Sequence, residues 1–227
     1  MSGTRRLIVA IDGPAGAGKS TVAGRLAAQF GLLNLETGAM YRAFALKAME
    51  NGVAPDDAAA LEALAARTSI VLKPTSSGNR VLLDGNDVTA LVRDAAVTQA
   101  ASQVSVHPAI RSWMVKLQRR LGENGGVVME GRDIGTVVFP DADIKIFLDA
   151  SPEARGERRY EQSGRIAPPE AVLSEIRERD QRDRNRAQSP LKPAPDAVVI
   201  DSTDLALEEV LSQVESLVTA RLAGQAR

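Results

Sequence analysis

The sequence predicts an α/β fold, a parallel sheet of about five short strands covered by helices on both faces. Three observations predict it. Short aliphatic runs alternate along the chain with stretches whose apolar residues recur at helical spacing. The runs are unbroken rather than alternating, as expected of strands buried on both faces. A glycine-rich segment joins the first run to the first helical stretch.

Residues 7–11 form an aliphatic run closed by Asp12-Gly13-Pro14 and read as the first strand. Residues 20–30 follow as a helix, with Val22, Leu26, Ala27 and Phe30 on one stripe and Gly31 as the stop. A second strand is expected at 32–35 and a helix at 38–51, ended by Gly52. Asp56 or Asp57 can cap a third helix running to about residue 67. The pattern then changes. Runs at 70–73 and 80–84, separated by Thr-Ser-Ser-Gly-Asn, suggest an antiparallel hairpin, with Gly85-Asn86 turning afterwards. Two helices are expected at about 91–105 and 109–122, broken at Pro108. Strands follow at 127–129, 144–148 and 197–200. Helices are expected at 152–162, 170–186 and 205–222, and the Pro-rich stretch 189–195 reads as a loop.

Composition narrows the function. The 227 residues hold 28 Lys plus Arg and 29 Asp plus Glu, a net charge of −1 with the one His neutral. Binding to nucleic acid or to an anionic membrane calls for an excess of positive charge, so neither is expected. With no cysteine and one histidine, disulfides, thiolate zinc sites, a cysteine nucleophile and multi-histidine metal sites are excluded. No apolar run approaches the roughly 18 residues of a membrane span, and the expected location is the cytoplasm. His107 precedes a helix break and reads as structural; Trp113 reads as a packing residue, and Tyr41 as packing with base stacking left open by its place in the 37–42 motif.

Gly13-Pro14-Ala15-Gly16-Ala17-Gly18-Lys19-Ser20 fits the phosphate-loop pattern G-x-x-x-x-G-K-[ST], with Thr21 continuing into the helix. Glycines let backbone N–H groups curl around a phosphate, and the following helix N-terminus adds positive potential. Lys19 supplies a point charge to the outer phosphates, and the Ser20 hydroxyl can coordinate Mg²⁺. No Asn-Lys-x-Asp motif is present, so ATP is the better donor than GTP. No acid-terminated strand of Walker B type stands out, which weighs against a motor. A kinase for small molecules needs several arginines beyond the loop, because phosphoryl transfer gathers negative charge. Thr37-Gly38-Ala39-Met40-Tyr41-Arg42, Gly131-Arg132-Asp133 and the charged run 178–186 supply them. Taken singly, Arg42 would read as a solvated helix residue, and Ser102 and Arg111 as ordinary helix surface.

These motifs in this order resemble the bacterial cytidylate kinases. The matching segments are IDGPAGAGKST, LETGAMYR, AASQV…HPAIR, EGRDIGTVVFPDADIKIFLDAS and ERDQRDRNRAQSPL. The resemblance implies a P-loop kinase with a parallel five-stranded core sheet flanked by helices. It adds a small acceptor-side insert with an antiparallel hairpin, and a short lid. The whole chain, 1–227, would be a single domain: core at about 5–36, 100–155 and 187–222, acceptor lobe and insert at 37–99, lid at 156–172. It implies transfer from ATP to CMP and dCMP with Mg²⁺. A monomer is expected, because the sequence shows no exposed heptad or interface pattern. Gly13, Pro14, Ala15, Gly16, Ala17, Gly18, Lys19, Ser20 and Thr21 would bind ATP. Arg42, Arg132 and Arg186 would hold the CMP phosphate, with Thr37 beside it. Ser102, Arg111 and Asp133 would read the base. Cytosine offers an amino donor that Asp133 can accept, and acceptors that suit Arg111 and Ser102, whereas uracil would set an acceptor against the carboxylate. Arg179 and Asp183, four apart on one helix face, would contact the sugar. Lys19, Arg132, Arg158 and Arg186 would stabilise the transferring charge. Arg155, Arg158 and Arg159 lie on the helix entering the lid. Two other readings stay open from the residues: a P-loop kinase for another acceptor such as UMP, and an ATP-dependent binding switch.

Overall fold

The computed structural model describes residues 6–75 and 78–225. Arg5, at the start of the expected core, and Ser76 and Ser77, in the expected hairpin turn, lie outside the described residues. The central sheet holds β1 (Ile8–Asp12), β2 (Leu33–Glu36), β6 (Val127–Gly131), β7 (Ile144–Asp149) and β8 (Val198–Asp201). Its order is β2-β6-β1-β7-β8 and every pairing is parallel. Consecutive residues of β1 serve opposite faces. Val9 and Ile11 pack with Val22 and Leu26 of α1 (Lys19–Phe30) and Val210 and Val214 of α8 (Leu207–Gln225). Ile8 and Ala10 pack on the other face with Val115 of α5 (Pro108–Gly122) and Ile134.

A second sheet is built from β3 (Ile70–Thr75), β4 (Gly78–Leu83) and β5 (Asn86–Asp87). The expected hairpin is present, and a third strand extends it where a plain turn was expected. Asp84 and Gly85 take φ of 49° and 87°. Those left-handed values suit a two-residue hairpin loop, so the Asp-Gly pair returns the chain along β4 instead of releasing it. The apolar face of this sheet, Leu72, Val81 and Leu83, joins one core with α2 (Thr37–Glu50), α3 (Ala58–Ala65), α4 (Ala95–Val104) and α5. Within that core Phe44 and Trp113 meet edge to face, their ring centroids 5.2 Å apart.

Caps explain the helix boundaries. The Asp57 carboxylate accepts from Ala60 N at 3.0 Å and starts α3. Asp94 accepts from Ala96 N at 2.7 Å in an extended conformation. It thereby splits the helix expected at 91–105 into a 3₁₀ turn, Leu91–Arg93, and α4. The His107 ring lies 2.7 Å from Pro55 O, a structural bond. A π-helical turn, Ile134–Val138, follows β6. The chain then runs through α6 (Pro152–Gln162), an exposed connection and α7 (Pro169–Asn185). Among the described residues no helix is long and apolar enough to cross a membrane.

Candidate active site

The carboxyl ends of β1, β2 and β6 meet in register, with Asp12 beside Gly131 and Glu36 beside Glu130. Loops leaving that edge of a parallel sheet are where such folds bind ligands. A cleft of about 1080 Å³ opens there. Nine arginine and lysine side chains line it against five carboxylates, although the whole chain carries −1.

The loop after β1 needs its first glycine. Gly13 has φ 146°, and a Cβ there would sit 1.9 Å from Leu148 O. Ala15, Gly16, Gly18, Lys19, Ser20 and Thr21 line the cleft, while Gly13, Pro14 and Ala17 of the same loop do not. Lys19 is buried, and its Nζ donates to Pro14 O at 2.6 Å. Burial, then the charge of Arg132, pulls its pKa down, while Glu130 opposes them. Asp12 accepts from Ile134 N at 2.8 Å and Gly135 N at 2.7 Å. Desolvation pushes its carboxyl up to about 6 despite those bonds.

Every residue expected on the acceptor side lines the same cleft: Thr37, Arg42, Ser102, Arg111, Arg132, Asp133, Arg179, Asp183 and Arg186. Thr37 opens α2, and its hydroxyl donates to Glu130 O at 2.7 Å. Arg42, one turn on, reaches Glu36 at 2.5 Å. Arg111 Nη2 donates to Asp133 Oδ2 at 2.6 Å, both side chains being buried. The Arg111 guanidinium also lies 5.6 Å over the Tyr41 ring. Burial pushes the Tyr41 phenol up to about 12, so it stays a donor. Arg182 Nε donates to the Ser102 hydroxyl at 3.2 Å. On α7, Asp183 takes Arg132 Nε at 2.9 Å and Arg186 Nη1 at 3.4 Å. Burial pushes the Asp183 carboxyl up, but Arg132, Arg179 and Arg186 together hold it below its ordinary value. Arg179 is pulled down to about 10 by burial and then by Arg132.

Several of these groups still have bonds to make. Nε of Arg42, Arg111 and Arg179, Nη2 of Arg186 and the Tyr41 hydroxyl are buried without a hydrogen-bond partner in the protein. Buried guanidinium donors of this kind suit an anion with many acceptor oxygens.

Arg158 departs from its expected place. Its guanidinium donates to Ser202 Oγ at 3.1 Å and Ser202 O at 2.5 Å, and it does not line the cleft. Its neighbour Arg159 does. Successive helix residues point about 100° apart, and here that turn carries Arg159 to the cleft and Arg158 to Ser202. Arg155 is also turned from the cleft, toward the phosphate loop. Glu130 is a cleft residue that the sequence motifs do not single out. It closes the apolar run Val127-Val128-Met129 with a carboxylate, a signal that was present, and it lines the cleft near Lys19. Glu36 and Tyr41 also line it.

Among the described residues no group of three or more acidic or histidine side chains could hold a metal ion. The Ser20 hydroxyl in a phosphate loop suits a Mg²⁺ carried in by a nucleotide's own phosphates, since Mg²⁺ keeps most ligands from water and phosphate.

Comparison with known proteins adds the following. Residues 9–220 match the family model described as Cytidylate kinase. A cytidylate kinase of Pelotomaculum thermopropionicum is 53% identical over 216 residues, covering 93% of this chain and 96% of that protein. One from Geobacillus kaustophilus is 49% identical over 221 residues, covering 96% and 99%. The solved structure of an uncharacterized protein from Eubacterium ventriosum covers 94% of this chain and 99% of its own at TM-score 0.51. At 13% identity that likeness concerns the fold alone.

Proposed function

The chain belongs to the cytidylate kinase family, and from that premise we propose how its cleft phosphorylates CMP, and dCMP as a second acceptor, at the expense of ATP. The observation that carries the residue assignment is the set of buried, partly unpartnered guanidinium groups sharing one cleft with Lys19.

An oxygen of the CMP phosphate attacks the γ-phosphorus of ATP. A P–O bond forms as the bond to the β-phosphate oxygen breaks, and ADP leaves with that electron pair. No protein nucleophile takes part, so the protein's contribution is alignment and charge stabilisation. Gly13 to Thr21 cradle the ATP phosphates, and Lys19 exchanges the Pro14 carbonyl for a phosphate oxygen. The incoming negative charge restores the ammonium that burial disfavours. Mg²⁺, entering with ATP and meeting the Ser20 hydroxyl, would neutralise charge on the outer phosphate oxygens.

Arg42, Arg132 and Arg186 hold the acceptor phosphate, with Thr37 at the same helix start. Ser102, Arg111 and Asp133 read cytosine, and Arg179 and Asp183 meet the sugar. The ion pairs Arg42–Glu36, Arg111–Asp133 and Arg132–Asp183 keep these charges compensated and give them up, in part, to substrate. Arg159, in place of Arg158, is the lid arginine that meets the transferring group. The reading takes the protein as a cytoplasmic monomer with its cleft completed within one chain.

A coupled ADP-release assay comparing CMP, dCMP, UMP, AMP and GMP tests the reading. CMP and dCMP should lead. Asp133→Asn should lower kcat/KM for CMP by about 100-fold, because a buried mismatch leaves polar groups unpaired. Preference for UMP by the unaltered protein would overturn the role given to Asp133.

A further inference from the structure

Arg155 is the most deeply buried charged side chain outside the cleft, at 1% exposure. It stands at the start of α6 and forks three ways. Nε donates to Ala150 O at 2.8 Å, in the turn that leaves β7. Nη1 donates to Ala15 O in the phosphate loop at 3.1 Å and to Asp180 Oδ1 at 3.0 Å. Nη2 donates to Asp180 Oδ2 at 2.5 Å. One rigid guanidinium therefore ties the phosphate loop to the middle of α7.

Both ends of the tie matter. The Ala15 carbonyl and the Gly16 N–H belong to one planar trans peptide and point in opposite directions. Pinning Ala15 O to Arg155 fixes the direction of the Gly16 N–H, in a stretch of loop that lines the cleft. The loop lies against α6 so closely that a Cβ on Gly16 would be 3.2 Å from Arg155 Cβ. At the other end, Asp180 lies next to Arg179 and one turn before Asp183. Neither Arg155 nor Asp180 lines the cleft.

We propose that the Arg155–Asp180 pair is a positioning device that sets the ATP-phosphate loop in register with the acceptor-contacting face of α7, so that each substrate's binding depends on the tie. This rests on the placement of the CMP sugar at Arg179 and Asp183. Arginine suits the task because its planar fork binds carbonyl and carboxylate together, which a lysine ammonium on a flexible stem does not. Breaking the tie from either end frees both the loop peptide and α7.

The test is reciprocal steady-state kinetics of Asp180→Asn and Arg155→Lys, with folding checked by circular dichroism and thermal melting. Asp180 lies on the acceptor helix, yet its substitution should raise KM for ATP by about fivefold or more. Arg155 holds the ATP loop, yet its substitution should raise KM for CMP by a similar factor. A purely structural pair would lower the melting temperature and the active fraction and leave both KM values alone. That result overturns the proposal, as does an effect confined to the nearer substrate in each case. Should one variant fail to fold, the other's KM for the remote substrate decides. Asp183→Asn, run alongside, separates the two layers. An unchanged CMP KM there would refute the sugar placement, whereas a raised CMP KM with no crossed effects refutes the tie alone.

Discussion

Asp12 shows how a single buried carboxylate registers two loops. It ends β1 immediately before the phosphate loop, and its two oxygens hold the backbone of Ile134 and Gly135 just beyond Arg132 and Asp133. The arrangement carries an energetic cost that depends on pH. Its folded-state pKa of about 6 lies above the ordinary 3.8, so the folded state holds the proton more tightly than the unfolded chain. The associated stability is fully present below about pH 4 and is lost as pH rises through about 6, some ~3 kcal/mol at most. Asparagine does not titrate. Asp12→Asn should therefore gain on the unaltered protein between pH 4 and pH 7, whatever the constant offset between them. Urea unfolding at the two pH values measures the gap; a gap of fixed size would mean that Asp12 ionises at its ordinary pH. Residues such as Ser102 and Arg111 show what periodicity hides. Pattern alone assigns polar side chains to the helix surface, yet both are buried, because a polar cleft counts as interior by exposure and as surface by chemistry. Glu130 is legible as the acidic end of the aliphatic run Val127-Val128-Met129, but a carboxylate closing a short strand reads equally well as the start of a loop.

At the scale of elements, one side chain of the small sheet bonds directly to the edge strand of the large one. Asn79, on β4, accepts from Glu36 N at 2.9 Å and donates to Asn34 O at 2.8 Å. Its amide thus satisfies backbone groups of β2, the strand that leads into Thr37 and Arg42. Asn79→Ala should leave two part-buried backbone groups without this partner, at a cost of about 1 kcal/mol. It should also raise KM for CMP while KM for ATP holds, since the bond braces the acceptor side. Denaturant unfolding and steady-state kinetics check the two effects; an unchanged stability would show that water replaces the amide. Apart from the start of α4, the strands and helices themselves were readable to within about three residues from aliphatic runs, helical spacing and caps. The third strand of the insert was not, since its two residues, Asn86 and Asp87, carry no strand-like pattern and only the Asp84-Gly85 turn points to it. The split before α4 was missed because Asp94 caps a helix from inside an apolar-periodic stretch.

At the scale of the molecule, the insert does not stand apart. Leu72, Val81 and Leu83 share a core with Met40 and Phe44 of α2 and Met114 of α5, while α5 also covers one face of the main sheet. Calorimetry should show one cooperative transition with matching calorimetric and van't Hoff enthalpies; a separate early transition would mark the insert as an independent unit. The central sheet is finished differently at its two margins. On the β2 side, the Asn79 amide stands where a neighbouring strand's peptide would and already holds Glu36 N and Asn34 O. On the β8 side, Val198 and Val199 are exposed, and no strand among the described residues pairs beyond them. Only the shortness of β8 and the acidic residues Asp196 and Asp201 near its ends discourage recruitment of a foreign strand. The sheet is therefore occupied at one margin and guarded by little more than shortness and charge at the other, and any growth of it at high concentration has a favoured direction in which to start.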